Sequence, residues 1–398
     1  MKRWFLLVAS AAVYACSPSP SKAVSTLNPP PSGQSSVKEY TKDVLSKVYF
    51  VDKKYRSMLG PDSLQKVSLL EGGKPELLWI TGYKAVMMNA DASKMISQEW
   101  MCHSNLDFDP YTYWENFGSN ASMSGRLFTL SQGQQDVQLP VGYGIPIMSN
   151  EALDLATQVL NLNIDKPDVE VRHKVTIKFV RDKDLTVPMK PVFQAAVQGF
   201  KSLEDLPAHY GVPMSKAEEE EHGPGCSVGM PAMKGDVDKD AFGQKFTGHW
   251  VVKPGREVNR SLATHFLQLQ FDTTIHYIAV HLHPFAESLE LFDRTDQKSV
   301  WKAKAKQTSG KIGLAHVDSL SSPEGIPLYK DHEYEVVSVY NNTTNEDQDS
   351  MAVMFLYVLD KNFEKPDPKK VAERKKIREE QNKAKKQDKA HAEHKKGM

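Results

Sequence analysis

The chain has 398 residues, of which 40% are hydrophobic and 25% are charged, and its 50 Lys or Arg residues balance 50 Asp or Glu residues. This composition is ordinary for a soluble globular protein, and it excludes a fibrous repeat, a wholly disordered chain and a polytopic membrane protein. The length allows two domains, and the zero net charge favours no nucleic-acid partner.

The first residues, 1–15, are predicted to form a secretory signal that ends at a lipidation site. Two basic residues precede the apolar run Trp4 to Tyr14, which is too short to span a bilayer as a helix. The run ends at Val13-Tyr14-Ala15-Cys16, which resembles a bacterial lipobox with an unusual Tyr. We expect Cys16 to carry lipid. The alternative is an ordinary secretory signal with an incidental Cys.

The segment 16–64 is predicted to be a lipid-anchored tether followed by a short helix. Its first part is rich in Ser and Pro and cannot bury a core. Apolar residues at helical spacing favour helices at Val37 to Tyr55 and at Asn150 to Leu155.

From Glu76 to Asp360 the sequence is typical of an all-β fold. Short runs rich in β-branched and aromatic residues are separated by turn residues, and several runs alternate apolar with polar positions. The predicted strands include 77–80, 175–180, 266–271, 276–283 and 354–359. Many short strands in a long chain form sandwiches or barrels, so we predict two antiparallel β-sandwich, jelly-roll-like domains in tandem.

Acidic, Gly and Pro residues without periodic runs mark a boundary in the middle of the chain. We therefore predict an N-terminal domain at 65–205, a linker at 206–234 and a C-terminal domain at 235–362. Beyond them, residues 361–398 contain 14 Lys or Arg against 7 Asp or Glu, a local charge of +7. The basic tail, 363–398, is predicted to be a solvated helix or a disordered segment.

Two histidines share one face of a predicted strand. His281 and His283 lie two residues apart, and residues i and i+2 of a strand point to the same side. Met351, at the start of the last strand, offers a thioether, and thioether with imidazole favours copper, above all Cu(I). The alternative is that both rings face solvent and that Met351 fills a core. We interpret three further histidines as structural (His249, His265 and His276).

The stretch Tyr277 to Leu291, followed by Met351, resembles the C-terminal domain of the type II copper, ascorbate-dependent monooxygenases. This family includes peptidylglycine alpha-hydroxylating monooxygenase and dopamine beta-monooxygenase. The spacing of about 70 residues from the histidine pair to the methionine is also similar, and the likeness covers roughly 245–360. The resemblance implies that His281, His283 and Met351 hold the copper that binds and activates oxygen.

The match to the family's first domain is weaker. The family holds an electron-transfer copper there with a His-His pair and a third His on a later strand. In the corresponding stretch, Glu99 to Phe108, only His103 matches, and Cys102 stands where the other His would be. The later stretch Ala156 to Asn163 contains no His, and the next one, His173, is on a different run. We favour loss of this second site over a site that uses Cys102, His103 and an unidentified third ligand.

Three cysteines occur in the chain. If Cys16 carries lipid, Cys102 and Cys226 remain, and two cysteines in an exported protein most simply form one disulfide. The alternative makes one or both of them soft metal ligands, since Cys226 shares the loop 222–233 with a His and two Met residues.

The leading hypothesis is a copper monooxygenase of the bacterial cell envelope, lipid-anchored in the outer membrane and facing the periplasm or the cell surface. The resemblance implies copper, oxygen and a reductant such as ascorbate acting on a small-molecule or peptide substrate. The alternative is a non-catalytic copper-binding lipoprotein with the same single C-terminal site, and a third hypothesis is a metal-free scaffold. We expect a monomer that contacts the membrane through its lipid.

Overall fold

The computed structural model describes residues 38–55, 57–118, 125–202, 237–239 and 245–396. Several predictions lie outside these ranges: the secretory signal, the lipidation of Cys16, most of the tether, and the linker 206–234 with Cys226. The predicted disulfide between Cys102 and Cys226 therefore stays a prediction.

Strands dominate the described residues, as predicted for an all-β protein. The first half contains β1 (Glu39–Leu45), β2 (Tyr49–Val51), β3 (Asp62–Val67), β4 (Leu77–Asn89), β5 (Met101–Asp107), β6 (Arg126–Ser131), β7 (Asp136–Gln138), β8 (Tyr143–Met148), β9 (Leu153–Val159), β10 (Val169–Arg181), β11 (Lys190–Gln198) and β12 (Lys201–Ser202). The second half contains β13 (Val237–Lys239), β14 (Lys245–Thr247), β15 (Trp250–Val252), β16 (Gly255–Leu262), β17 (Thr273–Leu282), β18 (Ala286–Asp293), β19 (Lys298–Gln307), β20 (Leu314–Val317), β21 (Leu320–Leu328), β22 (Tyr334–Asn342), β23 (Gln348–Ser350) and β24 (Ala352–Leu359). The helices are α1 (Pro110–Phe117), α2 (Thr264–Leu267) and α3 (Pro368–Lys396), with 3-10 turns at Gln98–Trp100 and Asp182–Asp184.

One large sheet connects the two halves. Its strand order is β1-β10-β4-β8-β11-β24-β17-β21, with β2 and β7 attached at the side. Two smaller sheets contribute to the cores beside it. One has four strands in the order β3-β9-β5-β6, and the other has five in the order β16-β22-β18-β19-β20. Pairing is antiparallel except between β8 and β11, which is parallel. The structure thus confirms the all-β, predominantly antiparallel sandwich fold.

Alternate residues of the central strands face two different cores, because side chains on a strand alternate between its faces. On β17, Tyr277 and Ala279 belong to the first core, which is built mainly from residues of the first half. Ile278 and Val280 belong to the second core, which is built mainly from residues of the second half. Strands β17 and β24 therefore form a wall that both cores share, and this wall carries the candidate site.

The two predicted helices in the first half are wrong. Strand β1 pairs along its full length with β10, and its residues alternate exposed with half-buried, which is the period of a strand. The second predicted helix is β9, which lies between β3 and β5. In both stretches sheet pairing outweighs a short helical spacing. The predicted strand 266–271 is also wrong, because α2 ends there at Gln268, which has left-handed backbone angles.

The predicted domain bounds stay a prediction, because the linker between them lies outside the described residues. Two cores do exist, but β11, from the predicted first domain, pairs with β24 from the predicted second domain. The described part of the chain forms one continuous unit.

The basic tail forms a helix, α3, and its first part is held against α1. Arg374 donates hydrogen bonds to the carbonyl oxygens of Glu115 and Asn116, and Arg378 pairs with the Glu115 carboxylate at 2.7 Å. Of the two alternatives for the tail, the structure therefore shows the helix. None of the helices in the described ranges is both long enough and apolar enough to cross a membrane.

Candidate metal centre

Strand β17 brings the two predicted histidines to one buried face. By the alternation along β17, His281 and His283 point the same way as Tyr277 and Ala279, toward the first core. They are 4% and 5% exposed, so the expectation that both rings face solvent does not apply. Their ring centroids lie 5.4 Å apart, with nearly perpendicular planes.

Met351 lies on the same face as the pair. The β17–β24 ladder pairs His281 with Val353 and Leu282 with Ala352, so the next position along sets His283 opposite Met351. The His283 amide donates to the Met351 carbonyl at 3.3 Å, which agrees with that register. Facing residues of an antiparallel pair share a side and have Cβ atoms about 4.5–5.5 Å apart. The structure therefore brings together all three residues of the predicted main site.

His281 is buried without any hydrogen bond to its ring. Neither Nδ1 nor Nε2 of His281 has a partner in the structure. Burial is the main cause that lowers the His281 pKa well below its usual value, and His283 is the next cause. Buried polar atoms are nearly always paired, so an orphaned neutral imidazole needs an explanation. A neutral ring nitrogen with a free lone pair is what a metal ion requires of a histidine.

His283 contacts Asp349 as well as its neighbouring imidazoles. Its Nδ1 lies 3.4 Å from the Asp349 carbonyl oxygen and 3.6 Å from a carboxylate oxygen of the same residue. Burial lowers the pKa of His283 to about 3, so this ring is also neutral at physiological pH. With Nδ1 directed at Asp349, Nε2 is the nitrogen left for a metal, the arrangement common among metal-binding histidines.

His249, which the sequence interpretation treats as structural, lies beside the pair. It is 1% exposed, and its ring centroid is 6.0 Å from that of His283. It also contributes to lowering the pKa of both His281 and His283. No spacing rule links position 249 to the pair, since strand pairing alone brings them together.

His103 approaches the same group from the first half. Burial, the Arg126 guanidinium and His173 lower the pKa of His103 to about 3, and His283 adds to this effect. His103 in turn helps to lower the pKa of His281. We call His103, His249, His281 and His283 the histidine cluster. The loss of an independent first-domain site stays a prediction.

His173 and His276 have different surroundings. His173 is fully buried, with no hydrogen bond to either ring nitrogen and with its ring edge-on to Tyr49. His276 sits at an irregularity of β17, where its ring bonds to Thr274 and to the Ser322 carbonyl and stacks on Tyr143. These contacts account fully for His276, in agreement with its structural interpretation.

A second group of ligand-type side chains lies at the end of β18 and in the turns that follow β18 and precede β22. Among the residues that the structure describes, Asp293, Asp296 and His332 are the one set of three His, Cys, Asp or Glu side chains whose ligand atoms all lie within 4.8 Å of one another. His332 already pairs with Asp293, and Lys298 with Asp296, at 2.8 and 2.6 Å. The rings of the histidine cluster are spaced more widely, so binding one ion requires them to rotate inward.

A cavity of about 730 Å³ is lined in part by the turn that follows His283 in sequence, but by neither His281 nor His283. Phe285 and Ala286, which follow His283 closely in sequence, contribute to its wall, together with Lys304, Lys311 and Asn341. Phe285 has a φ of 70°, so the turn after β17 is held in a conformation that is unusual for a residue with a side chain. The cavity thus borders the turn after His283 and not the histidine rings themselves.

Comparisons with known proteins leave the family open. No family model and no curated protein matches the chain. A crystal structure of the STIV MCP is similar over 81% of this chain and 97% of that one, with 10% identity and a TM-score of 0.29. A putative membrane anchored protein from Corynebacterium diphtheriae is similar over 83% and 94%, with 11% identity and a TM-score of 0.17. Likenesses this weak carry no functional argument.

Proposed function

We propose that the protein binds copper, as Cu(I), through His281, His283 and Met351. The observation that supports this most directly is the buried His281 ring, whose two nitrogens have no hydrogen-bond partner. Two neutral imidazoles and a thioether on one face form a soft donor set, which suits Cu(I) better than zinc or magnesium. The residues present therefore fit the metal that the family resemblance implies.

The protein's own residues would hold these donors before the metal arrives. Strand β17 fixes His281 on a wall shared by two cores, the hydrogen bond from the His283 amide to the Met351 carbonyl continues that register by one residue, and Asp349 orients the His283 ring. The Tyr340 hydroxyl donates to the Met351 carbonyl and accepts from the His283 amide, so it ties the backbones of two ligands together. Preorganisation of this kind reduces the entropy lost on binding.

A second candidate function is the copper monooxygenase that the resemblance implies. The specific observation in its favour is the cavity beside Phe285 and Ala286, which is large enough for a small molecule or a peptide side chain. Bound copper would supply oxygen activation, with electrons from a reductant such as ascorbate. His103, near the pair, would be the starting point for a second copper.

The proposed location is the bacterial cell envelope, with the chain anchored through lipid on Cys16. This rests on the lipobox-like sequence and on the Ser- and Pro-rich segment after it. Replacing Cys16 with Ser should release the protein from membranes into the soluble fraction. A variant that stays in the membrane fraction would contradict the anchor.

Copper per chain is the deciding measurement for the proposed function. The chain without its signal would be loaded anaerobically with Cu(I) and dialysed. We expect wild type to keep at least one copper, which the His281→Ala/His283→Ala double variant should lose. His276→Ala is the matched control, because it removes a buried imidazole from the same strand away from the pair. Stoichiometric copper in the double variant would refute the ligand set.

Two further readouts separate the candidate functions. Two coppers per chain in wild type and one in His103→Ala would establish a second site in the first half. One copper per chain in both wild type and His103→Ala would mean that the chain has only the site at His281, His283 and Met351. Sustained product formation with ascorbate and oxygen would exclude a purely binding role. Copper retention without any turnover over a broad panel of small molecules and peptides would favour the binding protein.

A further inference from the structure

Met351 lies where two strand ladders meet. On one side, the β17–β24 ladder sets His283 opposite Met351. On the other side, the β15–β23 ladder pairs Trp250 with Ser350 and Val251 with Asp349. Continuing that ladder by one position sets His249 opposite Met351. The His283 side is supported by the hydrogen bond from the His283 amide to the Met351 carbonyl, and the His249 side follows from extending the β15–β23 register one residue past its end.

The segment around His249 is fixed by its own hydrogen bonds. The Thr247 hydroxyl donates to the His249 carbonyl at 2.8 Å and accepts from the His249 amide at 3.1 Å. The Ser350 hydroxyl donates to the Trp250 carbonyl at 2.8 Å, which holds the next position of the ladder. His249 is thus a buried imidazole on a rigid segment, at a position that the fold itself specifies.

The ring separations suit a shared ion. Two imidazoles that bind one metal at about 2.0 Å have ring centroids roughly 5 Å apart at tetrahedral angles. The distances from His283 are 5.4 Å to His281 and 6.0 Å to His249. Both distances exceed that separation by about 1 Å or less, so we expect side-chain rotation to close them.

We propose that His249 is a fourth copper ligand, so that the site consists of three imidazoles and one thioether. This inference rests on the proposed function and extends it. Four protein ligands complete a tetrahedral sphere, whereas a catalytic metal keeps a position open for its substrate. A complete sphere favours tight retention of Cu(I) over oxygen binding, and so favours the copper-binding role over the monooxygenase.

The test combines X-ray absorption with Cu(I) affinity, so that activity is not needed. In wild type, we expect the copper to be surrounded by three imidazole nitrogens and one sulfur. In His249→Ala, we expect two nitrogens and one sulfur, the same stoichiometry, and at least tenfold weaker Cu(I) binding in competition with a chromophoric chelator. His276→Ala should match wild type in both measurements.

The outcomes separate this inference from the proposed function. A wild-type site with two imidazoles and one sulfur would overturn the fourth ligand alone, as would a His249→Ala variant with unchanged affinity and coordination. A wild-type chain without copper, or copper that survives loss of His281 and His283, would overturn the proposed function as well. If circular dichroism shows that His249→Ala does not fold, His249→Gln replaces it, because Gln nearly keeps the side-chain volume. The X-ray absorption spectrum of copper-loaded wild type decides the number of imidazole ligands in either case.

Discussion

At the scale of single residues, Met351 has two roles that can be separated. Its side chain is 2% exposed and packs in the first core, and its position opposite His283 makes it the proposed thioether ligand. Packing depends on volume and shape, whereas copper binding depends on the sulfur atom. A substitution that keeps the volume and removes the sulfur therefore distinguishes the two roles.

Met351→Leu should lower Cu(I) affinity at least tenfold and cost less than about 1.5 kcal/mol of unfolding free energy, since Leu and Met have similar volumes. Chelator competition and chemical denaturation measure the two effects. Met354→Leu is the matched control, because Met354, three residues further on in β24, is also buried but faces the second core. Equal copper affinities in the two variants would remove Met351 from the ligand set.

The pairing of His281 with His283 was predictable because the two-residue period of a strand is local to the sequence. The contribution of His249 was not predictable, because its register with Met351 depends on the short strands β15 and β23, which are separated by about 95 residues. Burial of the pair was also not predictable. The sequence pattern of an alternating strand does not show whether one face or both faces of the strand are buried.

At the scale of elements, the difference between local sequence period and long-range strand pairing explains the two wrongly predicted helices. The residues of β1 carry a weak helical spacing, yet the strand is fixed by seven residue pairs with β10, which lies more than 120 residues away. Long runs with strong alternation, such as β10, were recognised because their own sequence specifies them. Strands such as the edge strand β1 and the inner strand β9 depend on partners that the local sequence does not reveal.

The contact between α3 and α1 is specified by side chains that can be tested one at a time. Arg378 pairs with Glu115, whose side chain is 10% exposed. Removing the arginine leaves a nearly buried carboxylate unpaired, a change that costs about 1–3 kcal/mol. Arg378→Ala should therefore speed amide hydrogen exchange in residues 368–383 and leave the sandwich unchanged.

Lys375→Ala is the control for this exchange experiment, because Lys375 is exposed on the same helix. Its exchange pattern should match that of wild type. If both variants exchange alike, the pair of Arg378 with Glu115 does not hold the helix, and the two hydrogen bonds from the Arg374 side chain to backbone carbonyls of α1 would be the next contacts to test.

At the scale of the whole molecule, two cores that share one wall bury an unusual number of imidazoles. His103, His173, His281 and His283 all have their pKa lowered by burial. Each stays neutral in the folded chain at a pH where the unfolded chain takes up a proton. The fold is therefore expected to lose stability on acidification, and a histidine outside the proposed copper site shows this most cleanly.

His173 provides that test in the copper-free protein. Burial lowers its pKa to about 3, against about 6.5 for an unperturbed histidine. Between these values the unfolded state binds the extra proton, so the contribution of His173 to stability is complete above about pH 6.5 and falls as the pH drops, by up to about 1.4 kcal/mol per pH unit.

His173→Phe should flatten the pH dependence of the unfolding free energy between pH 6 and 4 by up to that slope, as measured by denaturant titrations. Equal slopes in wild type and His173→Phe would mean that the folded chain admits a proton to His173, and that the first core is open to water beside Tyr49.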